Sequence, residues 1–164
     1  MADWKCKRGL TLIEILVVLG VIATLAAMVF VVTRRVESQS NESIVANAFA
    51  LLNAALREHY EYEDAFPIQP DANPAPSNMV ALGHIRLMYA AFNNVPVCGE
   101  ILKGIDNVLV QRQDKQPATA RLYDPWGTPL NYIYAPGINT FPELVSAGPD
   151  RKFGTADDIS SKGK

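Results

Sequence analysis

The sequence predicts an α+β protein: a long N-terminal helix, membrane-spanning in its first half, packed against a small antiparallel sheet. Three observations predict it. Residues 10–32 form a run of 23 in which only Thr11, Glu14, Gly20 and Thr24 are not plainly apolar. No proline occurs between residues 10 and 65, and apolar side chains keep recurring there at spacings of three and four. Beyond Pro117 the chain changes to turn residues and alternating strand patterns.

The elements follow in order. At about 1.5 Å per residue, a helix over the apolar run crosses a hydrocarbon core of about 30 Å. The run is too long for a signal-peptide core, and no small-residue cleavage site precedes Arg34-Arg35. Past those arginines, Val45, Ala48, Phe49, Leu52, Ala55, Leu56 and His59 continue the helical spacing. One helix is therefore expected from about residue 10 to residue 61, apolar all round at first, then amphipathic with a domain on one side. It ends before Phe66-Pro67, and Pro67, Pro70, Pro74 and Pro76 mark a loop. Ser77 or Asn78 is placed to cap a second helix over 79–93, whose apolar face is Leu82, Ile85, Met88, Tyr89 and Phe92. Residues 95–116 carry little pattern beyond Val108-Leu109-Val110, a short strand candidate. Leu130, Tyr132 and Tyr134 alternate with Asn131, Ile133 and Ala135 as a strand does. Turns flank it: Asp124-Pro125-Trp126-Gly127, with Trp126 as the expected anchor of the sheet on the long helix, and Ala135-Pro136-Gly137. Leu144-Val145-Ser146 is a second short strand, leading into the final loop.

Glu14 is out of place on hydrophobic grounds. An ionisable group in a membrane segment costs about 3 kcal/mol near the bilayer centre and usually marks function. It follows Lys7-Arg8-Gly9 and sits in Leu10-Thr11-Leu12-Ile13-Glu14. This stretch resembles the leader and cleavage site of type IV prepilins and type II secretion pseudopilins. The resemblance implies that a membrane-embedded prepilin peptidase cuts between Gly9 and Leu10 and methylates the new amine. It also implies that Glu14 neutralises that amine on a neighbouring subunit during assembly; a paired charge is far less costly to bury than a lone one. Leu10 departs from the Phe or Met usual at the first mature position. The expected organisation is a leader over 1–9, a transmembrane and filament-core helix over 10–35, and a periplasmic globular domain over 36–164. Lys5, Lys7 and Arg8 place the N-terminus in the cytoplasm. With Arg34 and Arg35 on the far side, that orientation rests partly on the resemblance.

Cleavage would remove Lys5, Lys7, Arg8 and Asp3 from 15 basic and 17 acidic side chains, leaving 12 and 16. A net negative chain has no nucleic-acid-binding balance. Cys6 lies in the leader, so the mature chain would keep Cys98 alone, read as a buried small hydrophobe, and would form no intramolecular disulfide. His59 and His84 lack neighbours at metal-ligand spacing. No Gly-x-Ser-x-Gly, P-loop or Cys-x-x-Cys occurs, and no enzyme is expected.

The stretch over 146–159 gathers Asp150, Asp157 and Asp158 with Gly148 and Gly154. Calcium takes several oxygens, from carboxylates and backbone carbonyls alike, and glycines let carbonyls turn inward. The spacing is not that of an EF-hand. Together with Tyr123-Asp124-Pro125-Trp126-Gly127-Thr128-Pro129, this stretch resembles the C-terminal region of the major (G-subunit) pseudopilins of type II secretion systems. That family binds one calcium in its last loop. The resemblance puts side-chain ligands on Asp150, Asp157 and Asp158 and carbonyl ligands near Ala147 and Thr155. Where the family often has glycine, this chain has Arg151; if that position needs a positive φ, arginine strains it.

The resemblance implies a pilin-like fold and a structural filament subunit of a type II secretion pseudopilus, which helps export folded proteins across the outer membrane. Its implied partners are copies of itself in a helical filament, the prepilin peptidase, minor pseudopilins and an inner-membrane assembly platform driven by a separate ATPase. The chain would sit in the inner membrane as a single-pass protein before joining the periplasmic filament. The rival readings are a type IV pilin for adhesion, motility or DNA uptake, and a membrane-anchored calcium-binding domain that never assembles.

Overall fold

The computed structural model describes residues 12–69, 77–105, 109–112, 120–137 and 139–163. Helix α1 runs Leu12–Glu63, 52 residues without a break, close to the span its proline-free apolar pattern predicts. The described chain divides into two compact units, one ending at Gln39 and the other Ser40–Lys164.

In the first unit, Leu12–Phe30 is the one described helical segment long and apolar enough to cross a membrane, and none of it is buried within the chain. Its hydroxyls bond back to their own helix: Thr24 Oγ1 donates to the Val21 carbonyl at 2.8 Å and, just beyond the span, Thr33 Oγ1 donates to Val29 at 2.9 Å. Such internal pairing suits a segment surrounded by lipid or other helices, where no water would satisfy a free hydroxyl.

In the second unit, the α1 face of Val45, Ala48, Phe49, Leu52, Ala55 and Leu56 is buried in one core. Helix α2 (Asn78–Phe92) adds Ile85, Met88 and Phe92 to it. Helix α3 (Pro96–Leu102) adds Cys98, whose thiol donates to the Ala55 carbonyl at 3.2 Å. Burial, with a smaller push from Glu58, raises that thiol's pKa. The expected α2 cap is absent as a side-chain bond: Ser77 is extended at the N-cap but makes none.

Two antiparallel sheets follow, not one. Strands β1 (Val110–Arg112) and β2 (Ala120–Leu122) form a two-stranded ribbon. Strands β3 (Asn131–Ile133), β4 (Glu143–Ser146) and β5 (Ile159–Ser160) form a three-stranded sheet in that order. Its register sets Tyr132 opposite Leu144, both buried in the core. The Tyr132 hydroxyl donates to the Pro67 carbonyl at 2.8 Å, and the Tyr134 N–H donates to Gln69 Oε1 at 3.1 Å. These bonds tie the chain leaving α1 to the sheet. Phe66 adds an aromatic cluster there, 4.7 to 5.2 Å from the rings of Tyr60, Tyr134 and Phe141.

The alternation read in β3 holds for Leu130 and Tyr132 but not for Asn131, which is also buried. Its Oδ1 lies 3.2 Å from Nδ1 of buried His84 on α2. Since an amide oxygen only accepts, the imidazole donates from Nδ1. Both histidines serve packing: His59 Nδ1 pairs in the same way with the Ala65 carbonyl at 3.0 Å.

Candidate functional site

Two places carry the residues singled out by sequence. At the N-terminus, Glu14 lies in the first turn of α1 and is solvent-exposed in the isolated chain. It is the one ionisable residue in Leu12–Phe30. An acid near a helix N-terminus is also favoured by the helix dipole. Gly9 and Leu10 lie outside the described residues.

The second place is the loop between β4 and β5. Gly148 has φ +66, Arg151 +61 and Gly154 +84, so the backbone turns left-handed three times between the two strands. At Gly148 there is no alternative to glycine: a Cβ would overlap the backbone carbonyl oxygen of Asp157. Arg151 adopts the positive φ that makes arginine a strained choice, which costs on the order of 1–2 kcal/mol.

Within the loop, Asp157 Oδ2 accepts from the Asp150 N–H at 3.1 Å and Asp157 Oδ1 from the Thr155 hydroxyl at 2.6 Å. Asp158 Oδ2 accepts from the Gly154 N–H at 2.7 Å. Asp150 Oδ1 turns back to the Lys152 N–H at 2.8 Å. Asp157 and Asp158 line a cavity of about 490 Å³ with Glu42, Ala46, Ile159 and Ser160; Asp150 is not in its wall. Among the described residues, no three His, Cys, Asp or Glu side chains are grouped as a metal site. The fit to calcium thus rests on other features. The donors are hard oxygens throughout. Asp158 Oδ1 is buried without a hydrogen-bond partner, an atom that a cation would satisfy. Ala147 is fully buried at the base of the loop.

The Asp124-Pro125-Trp126-Gly127 turn has a second anchor besides the expected tryptophan. Trp126 is partly buried and packs against the core, whereas Asp124 is 2% exposed. Asp124 Oδ1 accepts from the Thr128 N–H at 2.7 Å, and Oδ2 from the Ser146 hydroxyl at 2.8 Å. Burial raises its carboxyl above the usual range, while bonds from Thr128, Ser146, Trp126 and Gly127 pull the other way. Sequence reading did not find the contact between Asp124 and Ser146. The available signal was an aspartate before Pro-Trp-Gly-Thr, with N–H groups in reach three and four residues on.

The family model described as the prokaryotic N-terminal methylation motif matches residues 4–30. The chain carries the N-methylation motif of prepilin-like proteins. The chain is also 29% identical over 160 residues to the type II secretion system core protein G of Escherichia coli (strain K12), covering 96% of this chain and 92% of that protein. No solved structure matches. The resemblance read from Gly9, Glu14 and the C-terminal motifs is therefore met at both ends of the chain. The architecture, a long apolar helix followed by helices and a three-stranded antiparallel sheet, is the pilin-like α+β form.

Proposed function

We propose that this chain is a structural filament subunit of a type II secretion pseudopilus, helping to export folded proteins across the outer membrane. The observation that carries the reading is similarity over nearly the whole chain to a core protein of that system, joined to a methylation motif at the N-terminus. A subunit of this kind works by packing and catalyses nothing. The apolar span Leu12–Phe30 anchors it in the inner membrane with the folded unit in the periplasm. Prepilin peptidase cuts between Gly9 and Leu10 and methylates the new amine. Glu14 then meets that amine on an adjacent copy, so the helices bundle without a lone buried charge. Minor pseudopilins and the inner-membrane assembly platform complete the machine.

The loop after β4 takes calcium in this reading, held by Asp150, Asp157 and Asp158 with carbonyls of Ala147 and Thr155. The orphaned, buried Asp158 Oδ1 supports it, as does a backbone of positive φ at Gly148 and Gly154. Bound calcium supplies a hard positive centre that offsets the crowding of like charges. By mass action it stabilises the folded loop by about 2.7 kcal/mol at a hundredfold excess over its dissociation constant. Chelation should lower the melting temperature, and Asp157→Ala should give the same lowered value with calcium present. A melting curve indifferent to both chelator and millimolar calcium rejects the cation.

The filament role is tested in the native host. Deleting the chain should leave secreted hydrolases in the periplasm and remove the filaments sheared from overexpressing cells. Normal release of those hydrolases to the medium would falsify it.

A further inference from the structure

We infer that Asp124 and Ser146 are positioning residues for the cation loop, holding its first residues so that Asp157 is presented in place. The inference rests on the calcium reading and deepens it. An unbroken line of contacts runs from the hairpin turn to the proposed ligand. The buried Asp124 carboxylate accepts the Ser146 hydroxyl at 2.8 Å. Ser146 Oγ in turn accepts the Gly148 N–H at 3.2 Å. The Gly148 α-carbon lies hard against Asp157: an added Cβ would overlap the Asp157 carbonyl oxygen and come 3.5 Å from its Oδ2.

The two carboxylate oxygens of Asp124 divide the work. Oδ1 takes the Thr128 N–H at 2.7 Å, and the turn is closed further by its own backbone, with Asp124 N–H to Thr128 O at 2.8 Å and Gly127 N–H to Asp124 O at 3.0 Å. Oδ2 points across to β4. Ser146 is the last residue of β4 and is fully buried, so its hydroxyl has little freedom to bond elsewhere. A serine hydroxyl donates once. Here the Asp124 carboxylate takes that proton, which orients the oxygen lone pairs toward the Gly148 N–H. The amide is thereby fixed where Gly148 needs φ +66. Outer groups of this kind commonly set ligand orientation in metal sites, and losing one costs about 10–100-fold in affinity.

The test uses the full chain in detergent, with calcium as the probe. Ser146→Ala, Asp124→Asn and the double variant are titrated by calorimetry, and the calcium-free proteins are followed by melting and amide hydrogen exchange. Ser146→Ala should weaken calcium binding by about 10–100-fold and speed exchange at the Gly148 amide without changing α2. The double variant should lose no more than about twofold beyond Ser146→Ala, because both act through one hydrogen bond. Ser146→Thr, which keeps the hydroxyl, should restore most of the affinity. If Asp124→Asn does not fold, the Ser146 pair of variants decides alone. A calcium affinity within twofold of the unaltered chain, with or without a lower melting temperature, reduces the contact to a structural pin and overturns the inference. If the unaltered chain takes no calcium, the calcium reading fails by itself. Exchange at Gly148 then decides: unchanged protection in Ser146→Ala overturns the positioning role, and lost protection supports it.

Discussion

The two halves of α1 are built from similar residues and do opposite things with them. In Leu12–Phe30, leucines, valines and isoleucines face outward on every side: Leu19 is 57% exposed and Val29 66%. In the second half, Leu52 and Leu56 are fully buried by α2, α3 and the sheets of the same chain. The difference teaches that apolar content does not by itself make a core. An apolar stripe on one face is completed by the chain's own domain. A helix apolar all round has nothing in its own chain to cover it, and so needs a bilayer or other helices.

Five changes break or sharpen that comparison. Glu14→Ala should have the largest effect, and it should fall entirely on the outward-facing half. In the proposed pairing, loss of the carboxylate leaves the methylated amine of the next subunit buried and unpaired, a change of about 3–5 kcal/mol in a fully buried pair. Membrane insertion and the melting of the folded unit should be unchanged while sheared filaments disappear. Wild-type filament yield from this variant would remove the pairing role.

Leu52→Ala attacks the inward-facing half. A cavity in that core should cost about 2–5 kcal/mol, visible in denaturant unfolding of the chain in detergent. Leu19→Ala, the same deletion on the exposed half, should leave the unfolding of the globular unit within about 0.5 kcal/mol. Equal losses would mean that the halves share one folding unit.

Gly148→Ala should come next. The new methyl meets the Asp157 carbonyl at a φ that alanine resists, a cost on the order of 1–3 kcal/mol. Limited proteolysis should then cut the C-terminal loop, with Leu12–Phe30 untouched. Arg151→Gly is the smallest and has the opposite sign. Relieving a non-glycine residue at φ +61 should raise stability by about 1 kcal/mol, read as a higher melting temperature. A lower one would show that the arginine side chain contributes more than its backbone strain costs.

Legibility followed the range of the interactions. The long helix, its apolar first half and the core face from Val45 to Leu56 could be read directly, because helical spacing and missing prolines are local signals repeated over many turns. Helix α2 was legible for the same reason and starts at Asn78. Helix α3 and strand β2 were not, and β1 only at its first residue, Val110. Seven and three residues carry too little periodicity, and packing against other elements decides their form. Gly148 and Gly154 announced a sharply turning loop by composition and both take a positive φ, as does Arg151, where glycine was the residue expected.

The sequence alone therefore determined the membrane-compatible helix, the prepilin-like N-terminus and the acidic, glycine-bearing loop, since each rests on residue types at short spacing. Only the tertiary structure decided which polar groups are buried together. Asn131 on β3 points inward because His84 on α2 donates to it. Asp124 is an anchor because Ser146, 22 residues away, brings a hydroxyl to it. A buried polar group is tolerated only where a partner arrives, and chains meet such partners through folding over distances that no local pattern records.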